Sequence, residues 1–322
     1  MSLRGEQMDE LIQVENLKKY FKVKGKILKA VDDVSFAIPR KTTFSLVGES
    51  GCGKTTCGRT IMGMYDVTQG NVFYKGNNIQ KMNAAQKKEF HKNAQMIFQD
   101  PYSCLDPRMN VETIISEGRK VHFKESAGNR KEIVRELLEK VGLPALFAAR
   151  FPHELSGGQR QRVGIARALA VNPEFIVCDE PIAALDVSIQ AQVINLLMDL
   201  QEQQKLTYLF ISHDLAIVRH ISDEIGVMYL GNLIEKGTTE EIFTHPLHPY
   251  TKALFSSVMR GQIIDGKKVE RIVLKGELPS PMNAPSGCRF RTRCPYATSQ
   301  CAECRPKLKN VADRHQVSCL QY

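Results

Sequence analysis

The pattern of apolar and polar residues divides most of the chain into short strands and longer helices. Three apolar runs, at Thr43–Val47, Phe175–Cys178 and Thr207–Ile211, are continuous and not alternating, which predicts strands buried on both faces of a parallel sheet. Between them, apolar residues recur with helical spacing, as at positions 133, 134, 137, 138 and 141 and again at 189, 193, 196, 197 and 200. Strands that alternate with helices predict an α/β fold.

Other patterns predict additions to this sheet. The alternating run Val34–Ile38 and the glycine-bounded run Gly70–Gly76 are typical of shorter antiparallel strands, and Gly231-Asn232 between apolar runs predicts a hairpin turn. The region of residues 100–169 is predicted to be a mostly helical lobe. Beyond residue 261 the composition changes, because prolines occur at 279, 281, 285, 295 and 306 and five of the nine cysteines lie there.

These changes predict three segments along the chain. Residues 1–10 are interpreted as a start segment or an expression remnant, residues 11–260 as one α/β domain, and residues 261–322 as a small Cys-rich C-terminal extension. A chain of 322 residues has room for one large or two ordinary domains. No stretch approaches the ~20 apolar residues of a spanning helix, and no export signal opens the chain, so we expect a cytoplasmic protein.

The formal net charge of +9 is compatible with nucleic acid, with an anionic membrane surface, or with a nucleotide site and a solvated basic surface. Basic and aromatic residues do not interleave as they do in single-strand binders. We therefore expect no nucleic acid as a partner, although charge alone does not decide.

The strongest chemical signal is a glycine-rich loop that directly follows the first predicted strand. It matches the G-x-x-x-x-G-K-[ST] pattern of a P-loop. Its backbone N–H groups are predicted to surround phosphate groups at a helix start, with Lys54 neutralising the β- and γ-phosphates and Thr55 binding Mg²⁺. The predicted ATP-binding residues are Gly48, Glu49, Ser50, Gly51, Cys52, Gly53, Lys54, Thr55 and Thr56.

Two carboxylates follow the second buried strand, in the edge region where open α/β sheets bind ligands. Asp179 is predicted to hold Mg²⁺ through its water shell, and Glu180 to polarise the attacking water. His213 ends a further strand, and we expect it to orient that water. Taken alone, the two acids could simply begin a loop and the histidine could be structural. Their functional interpretation therefore depends on the P-loop.

A second phosphate-binding pattern, Leu155-Ser-Gly-Gly-Gln159, precedes a helical run. Ser156, Gly157 and Gly158 would present a hydroxyl and bare N–H groups at a helix N-terminus. At this point the chain resembles the ATP-binding cassette (ABC) ATPases. The resemblance implies a P-loop core with an antiparallel β subdomain and a helical lobe, and two subunits paired head to tail so that the 156–159 segment faces the P-loop of the other.

Further positions match the family pattern across residues 11–249. The resemblance implies that Gln99 reaches Mg²⁺ and the attacking water, that Phe21 or its neighbour Tyr20 stacks on adenine, and that Ala184-Leu185-Asp186 communicates across the dimer. In the preceding Pro181-Ile-Ala-Ala segment a Thr and a Ser are more usual. Because the other motifs are intact, we expect a hydrolysis-competent subunit.

The tail resembles the C-terminal extension of ATPases that serve oligopeptide, dipeptide and nickel importers, most closely the oligopeptide/dipeptide F subunit. This implies a related ATPase subunit, two permease subunits and an extracytoplasmic solute-binding protein as partners, with the chain peripheral at the cytoplasmic face of the cell membrane. Nickel import is the alternative role. A soluble ABC ATPase acting on nucleic acid or ribosomes and a nucleotide-gated regulatory module are the rivals from other classes. The flanking prolines of His245 and His248 predict an exposed loop and not a metal site.

The tail cysteines allow three interpretations. Cys288, Cys294, Cys301 and Cys319, with Cys304 as a spare, lie at wider gaps than zinc modules use. Four thiolates can hold a [4Fe–4S] cluster, and the resemblance implies one because some relatives carry it in this extension. Zinc and unligated thiols stay open as alternatives, whereas disulfides are disfavoured in a reducing cytoplasm.

Overall fold

The computed structural model describes residues 9–258 and 270–322, together with the pairs 263–264 and 267–268. The strands are β1 (Glu10–Val23), β2 (Lys26–Pro39), β3 (Thr43–Val47), β4 (Gln69–Tyr74), β5 (Asn77–Asn78), β6 (Ala94–Ile97), β7 (Phe175–Asp179), β8 (Thr207–Ile211), β9 (Glu224–Tyr229), β10 (Asn232–Thr238), β11 (Ile263–Ile264), β12 (Lys267–Lys268), β13 (Lys309–Ala312) and β14 (His315–Val317). The α-helices are α1 (Lys54–Ile61), α2 (Ala84–Asn93), α3 (Pro101–Cys104), α4 (Val111–His122), α5 (Ala127–Lys140), α6 (Gly157–Leu169), α7 (Val187–Gln204), α8 (Leu215–Ile221), α9 (Thr239–Thr244), α10 (Pro249–Ser256) and α11 (Gln300–Glu303).

The described residues divide into two compact units. Unit 1 contains residues 9–11, Pro39–Thr42 and Lys81–Phe210, and unit 2 contains Ile12–Ile38, Thr43–Gln80 and the described part of Ile211–Tyr322. Most of the interpreted start segment, residues 1–8, lies outside the described residues. The expected boundary at residue 261 does not coincide with a boundary between the units, because residues on both sides of it belong to unit 2. No helix in the described ranges is long and apolar enough to cross a membrane.

Unit 1 combines parallel strands with the predicted helical lobe. Strands β6 and β7 run parallel, with Met96 opposite Val177, and β7 is buried along its whole length. Helix α4 packs against α5 and α6, which places the apolar faces of three helices in one core. Residues 100–169 are mostly helical and the continuous apolar runs are strands, as predicted; that the helices form a lobe of their own stays a prediction.

Unit 2 contains an antiparallel sheet and a mixed one. The first has the order β2-β1-β4-β5, and the unit 2 strands of the second have the order β13-β14-β10-β9-β3. In the second sheet β3 runs parallel to β9, with Leu46 opposite Gly226. Strands β9 and β10 form the predicted hairpin, but its turn residues are Leu230 and Gly231, one position before the expected Gly231-Asn232. Both have positive φ, of 44° and 81°, as the commonest two-residue hairpin turns allow.

One strand is longer than the sequence pattern predicts. The expected run Val34–Ile38 covers only part of β2, which spans 14 residues. Its first five residues, Lys26 to Ala30, are exposed or half-buried and include two lysines, so they show no alternation of buried apolar residues although they belong to the same sheet.

Candidate nucleotide-binding site

The glycine-rich loop between β3 and α1 passes so close to neighbouring backbone that two of its glycines leave no room for a side chain. Gly48 and Gly53 have φ of 148° and 109°, a region that favours glycine. A Cβ at Gly48 would lie 2.2 Å from the carbonyl oxygen of Met228, and one at Gly53 would lie 2.1 Å from that of Ala30. A Cβ at Gly51, where φ is 75°, would instead enter open space, with no heavy atom beyond its chain neighbours within 4 Å.

Lys54 is buried and lies against the carbonyl groups of this loop. Its Nζ donates to the carbonyl oxygens of Gly48 at 2.8 Å and Glu49 at 3.1 Å. Helix α1 begins without a side-chain cap and has no acidic residue in its first turn. Such a helix start attracts anions through its N–H groups and its dipole. The glycines, the lysine and the helix start therefore fit the phosphates of a nucleotide.

Thr55, Thr56 and His213 lie close to this loop along the chain or across the sheet. Thr55 and Thr56 occupy the first turn of α1. The backbone N–H of Ser212 donates to the Leu46 carbonyl at 3.3 Å, so the exposed His213 follows at the carboxyl end of β3, where the loop begins.

Glu49 has two partners that sequence reasoning missed. Its backbone N–H donates to the Tyr250 hydroxyl at 2.9 Å. Its carboxylate oxygens accept from Arg293 Nη1 at 3.2 and 3.0 Å. Arg293 is 244 positions away in the C-terminal extension, and no local pattern connects the two residues.

The aromatic residues of β1 have different surroundings. Phe21 is half-buried and meets Tyr65 edge-on, with ring centroids 5.4 Å apart; Lys19 Nζ lies 4.9 Å from the Phe21 centroid. The hydroxyl of Tyr20 instead donates to Asp32. Burial and the hydrogen bond to Asp32 raise the pKa of Tyr20.

Asp32 is buried and also binds two arginines of the extension. Its carboxylate accepts from Arg289 and, at 3.0 Å, from Arg305 Nη1. Burial raises the pKa of Asp32, but the hydrogen bond from Tyr20 and the two positive charges outweigh burial and hold that pKa below its ordinary value. Arg289 also donates to the Leu230 carbonyl in the β9–β10 turn.

In unit 1, the predicted catalytic acid and the predicted glutamine are in contact. Asp179 is fully buried at the end of β7. Glu180 follows it with φ of 44°, a region that residues other than glycine adopt uncommonly. Gln99 Nε2 donates to Glu180 Oε2 at 2.9 Å. The two adjacent acids therefore have different surroundings: Asp179 is buried, whereas Glu180 is hydrogen-bonded to Gln99.

The Ser156–Gln159 segment forms the N-terminus of α6, as predicted. Ser156 is the N-cap, and it forms a capping box with Gln159: Oγ accepts from the Gln159 N–H at 3.3 Å, and the Ser156 N–H donates to Gln159 Oε1 at 2.9 Å. Ser156 and Gly157 are exposed. Gly158 is close to α7, because a Cβ there would lie 2.6 Å from Ile189 Cγ2.

The predicted exposed loop around the two tail-proximal histidines is only half correct. His245 is exposed, but His248 is buried, with 1% of its surface accessible. Its Nδ1 accepts from the Tyr250 N–H at 3.1 Å, and its own N–H donates to Glu235. Pro249 is the first residue of α10 and His248 its N-cap, so the proline begins a helix where the sequence pattern predicted a loop. Burial lowers the pKa of His248 to about 4.

The tail cysteines lie close enough to influence one another. Burial raises the pKa of Cys288 and of Cys294, and the nearby thiols of Cys301 and Cys319 raise both further. The Cys288 N–H donates to the Cys301 carbonyl at 2.8 Å. Within the described ranges, no three or more His, Cys, Asp or Glu side chains are grouped so that they could hold a metal ion.

The parallel strands, the glycine-rich loop before α1 and the two acids at the end of β7 are features of a P-loop nucleotide hydrolase. Two family models match the chain: one described as ABC transporter covers residues 31–183, and one described as oligopeptide/dipeptide transporter, C-terminal region, covers residues 234–301.

Relatives and solved structures agree with these matches. The oligopeptide transport ATP-binding protein AppF of Bacillus subtilis is 51% identical, with 98% of each chain covered. The dipeptide transport ATP-binding protein DppF of Haemophilus influenzae is 48% identical, covering 96% of each. A dimeric, post-hydrolysis structure of the ATP-binding cassette MJ0796 with ADP and phosphate has a TM-score of 0.65 and 27% identity, covering 71% of this chain and 98% of that one. The chain therefore belongs to the ATP-hydrolysing, ATP-binding proteins of the ABC transporter family, and the resemblance inferred from the sequence is confirmed.

Proposed function

We propose that this chain hydrolyses ATP to drive the import of peptides through membrane permease subunits. The observation that carries the proposal is the match of residues 234–301 to the oligopeptide/dipeptide C-terminal region, beyond the part shared by ABC transporters in general. The relatives named above are called oligopeptide and dipeptide transport proteins, which favours peptides over nickel as the solute. The chain would lie at the cytoplasmic face of the membrane, beside a related ATPase subunit, two permeases and an extracytoplasmic binding protein.

In this proposal the P-loop binds the nucleotide. Lys54 exchanges its bonds to the Gly48 and Glu49 carbonyls for the β- and γ-phosphates, and the N–H groups at the start of α1 bind the remaining phosphate oxygens. Phe21, half-buried and not engaged as Tyr20 is, stacks on adenine. Thr55, Gln99 and Asp179 would hold Mg²⁺, which neutralises charge on the phosphates.

Glu180 accepts a proton from the attacking water, and Gln99 and His213 orient that water. The 2.9 Å contact between Gln99 and Glu180 supports a shared role for these two residues, because a side chain that holds the general base in place also lies within reach of the water that gives up its proton.

The exposed N-terminus of α6 supports a head-to-tail pair. Ser156, Gly157, Gly158 and Gln159 would contact the γ-phosphate held by the P-loop of the other subunit. A helix start that faces solvent is suited to a ligand supplied by another molecule.

Glu180→Gln tests the enzymatic part. The variant should bind MgATP with the affinity of the unmodified chain but hydrolyse it at least ~100-fold more slowly, because the amide cannot accept the proton. An unchanged hydrolysis rate would remove Glu180 from the mechanism. Uptake of a labelled dipeptide and of labelled nickel, measured in cells that carry the permeases and either form of the subunit, then separates the two solutes: Glu180→Gln should abolish peptide uptake and leave nickel uptake as it was.

We also propose that Cys288, Cys294, Cys301 and Cys319 hold a [4Fe–4S] cluster. The support is the resemblance of the extension, since four thiolates suffice for such a cluster; in the part of the chain that the structure describes, no three or more such side chains are grouped so that they could hold a metal ion. Iron and acid-labile sulfide should each approach four per chain after anaerobic purification, and Cys294→Ser should lower both. An iron-free protein with one bound zinc, or with four thiols open to labelling, would contradict the cluster.

A further inference from the structure

The feature that carries a further inference is the ion pair between the P-loop and the C-terminal extension. Arg293 Nη1 lies 3.0 Å from Glu49 Oε2, and the exposed fractions of the two side chains are 10% and 28%. The pair is thus largely withdrawn from water, where screening is weaker than at the surface. Glu49 is the first residue after Gly48, so its carboxylate belongs to the loop that fits the phosphates.

Arg293 is held in place by its own segment. Its backbone N–H donates to the Phe290 carbonyl at 2.9 Å. Phe290 is buried, and its ring contacts Tyr229, Tyr250 and His248 at centroid distances of 5.3, 5.5 and 5.5 Å. Tyr250 also accepts the Glu49 N–H. One aromatic cluster therefore fixes both partners of the ion pair.

The extension repeats this arrangement at a second acid in unit 2. Asp32 is neutralised by Arg289 and Arg305, which both come from the extension. Tyr20 donates to the same carboxylate and precedes Phe21 in β1. In both places, an arginine of the extension lies against a carboxylate in or near the P-loop in sequence, Glu49 or Asp32.

The consequence for ATP is electrostatic. A carboxylate in the phosphate-binding loop repels the polyphosphate, and the repulsion acts over several ångströms in a partly buried site. Arg293 cancels the charge of Glu49. Lys54 and the α1 helix start then act on the phosphates without opposition from Glu49.

We propose that Arg293 is a positioning residue that neutralises Glu49, and that the C-terminal extension in this way sets the affinity of the P-loop for ATP. The proposal rests on the proposed function in one respect, that MgATP binds at this loop. The charge balance at the pair determines affinity, and the shape of the loop determines where the phosphates bind.

The test compares four chains that differ only in this balance: the unmodified chain, Arg293→Met, Glu49→Gln and the double variant. Relative to the balanced pair, Arg293→Met leaves one negative charge and Glu49→Gln leaves one positive charge. The Kd for MgATP, measured by calorimetry, should rise roughly fivefold in Arg293→Met, fall by a few-fold in Glu49→Gln, and return to within about twofold of the starting value in the double variant.

The affinities for ATP, ADP and adenosine, which differ in their number of phosphates, distinguish a charge effect from a purely structural one. The effect of Arg293→Met should be largest for ATP, smaller for ADP and absent for adenosine. Arg293→Lys keeps the charge and should restore most of the affinity. Thermal unfolding of each variant shows whether it still folds. If Arg293→Met does not fold, the Kd of Glu49→Gln for MgATP still tests the charge balance.

The proposal is overturned if Arg293→Met binds MgATP as the unmodified chain does, if the double variant stays as weak as Arg293→Met, or if adenosine binding weakens equally. Lys54→Ala separates these outcomes from a failure of the proposed function. If Lys54→Ala leaves MgATP binding unchanged, MgATP does not use the P-loop, and the fault lies with the proposed function and not with Arg293.

Discussion

The two candidate phosphate sites of the chain are built in opposite ways. The P-loop of unit 2 is enclosed: Lys54 is buried, two glycines touch backbone, and Tyr250 and Arg293 hold Glu49. The N-terminus of α6 in unit 1 is exposed and is capped by Ser156, which forms a capping box with Gln159. A site supported from within can bind a ligand by itself, whereas an exposed helix start contributes only when a ligand is brought to it.

The largest effect is expected where the P-loop is tightest. Gly48→Ala should abolish MgATP binding, measured by calorimetry, because its Cβ would lie 2.2 Å from the Met228 carbonyl oxygen. Gly51→Ala is the matched control, since it has a positive φ but open space around it, and it should cost only ~1 kcal/mol of conformational strain. Equal losses of MgATP affinity in the two variants would show that the positive φ, and not the lack of space for a side chain, causes the effect.

The buried support of the P-loop should be sensitive to acid. The folded-state pKa of His248 is about 4, whereas the unfolded chain protonates this residue near pH 6.5. The unfolded state therefore binds the extra proton first, and the free energy of unfolding should fall by about 3 kcal/mol from this residue as pH drops from 6.5 to 4.

His248→Asn keeps an N-cap acceptor and should flatten this part of the pH dependence, as followed by chemical denaturation at several pH values. His245→Asn, at the exposed histidine, should leave the pH dependence unchanged. If both variants show the original slope, His248 is not the group that links acid to the stability of unit 2.

A negative charge at the exposed start of α6 should have opposite effects on folding and on ATP hydrolysis. Gly157→Asp places a carboxylate in the first turn of α6, where the helix dipole favours it, and its Cβ would meet only an ordinary contact with Leu185. Thermal stability should hold or rise slightly, and MgATP binding to the single chain should persist.

Hydrolysis by the same Gly157→Asp variant should fall about tenfold or more, because the new charge repels a phosphate presented by another subunit. Gly157→Ala serves as the control without charge. A variant that hydrolyses ATP at the original rate would mean that this helix start does not meet a nucleotide.

The smallest effect concerns a thiol within the P-loop. Cys52 is buried, with 1% of its surface accessible, and burial raises its pKa. Brief alkylation near pH 7.5 should therefore label Cys52 at least ~10-fold more slowly than the exposed Cys304, as peptide mapping by mass spectrometry can measure. Comparable rates would show that the loop opens readily, and the contrast with α6 would weaken.

The parts of the fold that the sequence predicted well are those with a local cause. Strand β3 and strand β8 match their predicted bounds because every residue in them is buried, which leaves a continuous apolar run. The P-loop and the α6 start were found for the same reason, since glycines and a capping serine are required at fixed spacings.

The contacts of the extension had no such signal. Arg293 reaches Glu49 across 244 positions, and Arg289 reaches Asp32 across 257. A lone arginine in a Pro- and Cys-rich segment resembles a surface residue, and only tertiary packing reveals its partner. His248 was misplaced for a related reason, because a proline beside a polar residue fits a loop as well as the first turn of a helix.

The order of strands in unit 2 has a consequence for solubility. Strand β14 covers the edge of β10, and β13 in turn covers β14. The outer strand that results is short, fully exposed, begins with a lysine and has a break in its pairing between Asn310 and Ala312, and these are features by which proteins discourage edge-to-edge association. A chain that ended after α10 would instead leave the mostly buried β10 with unpaired N–H and C=O groups, and aggregation through that edge is the expected result.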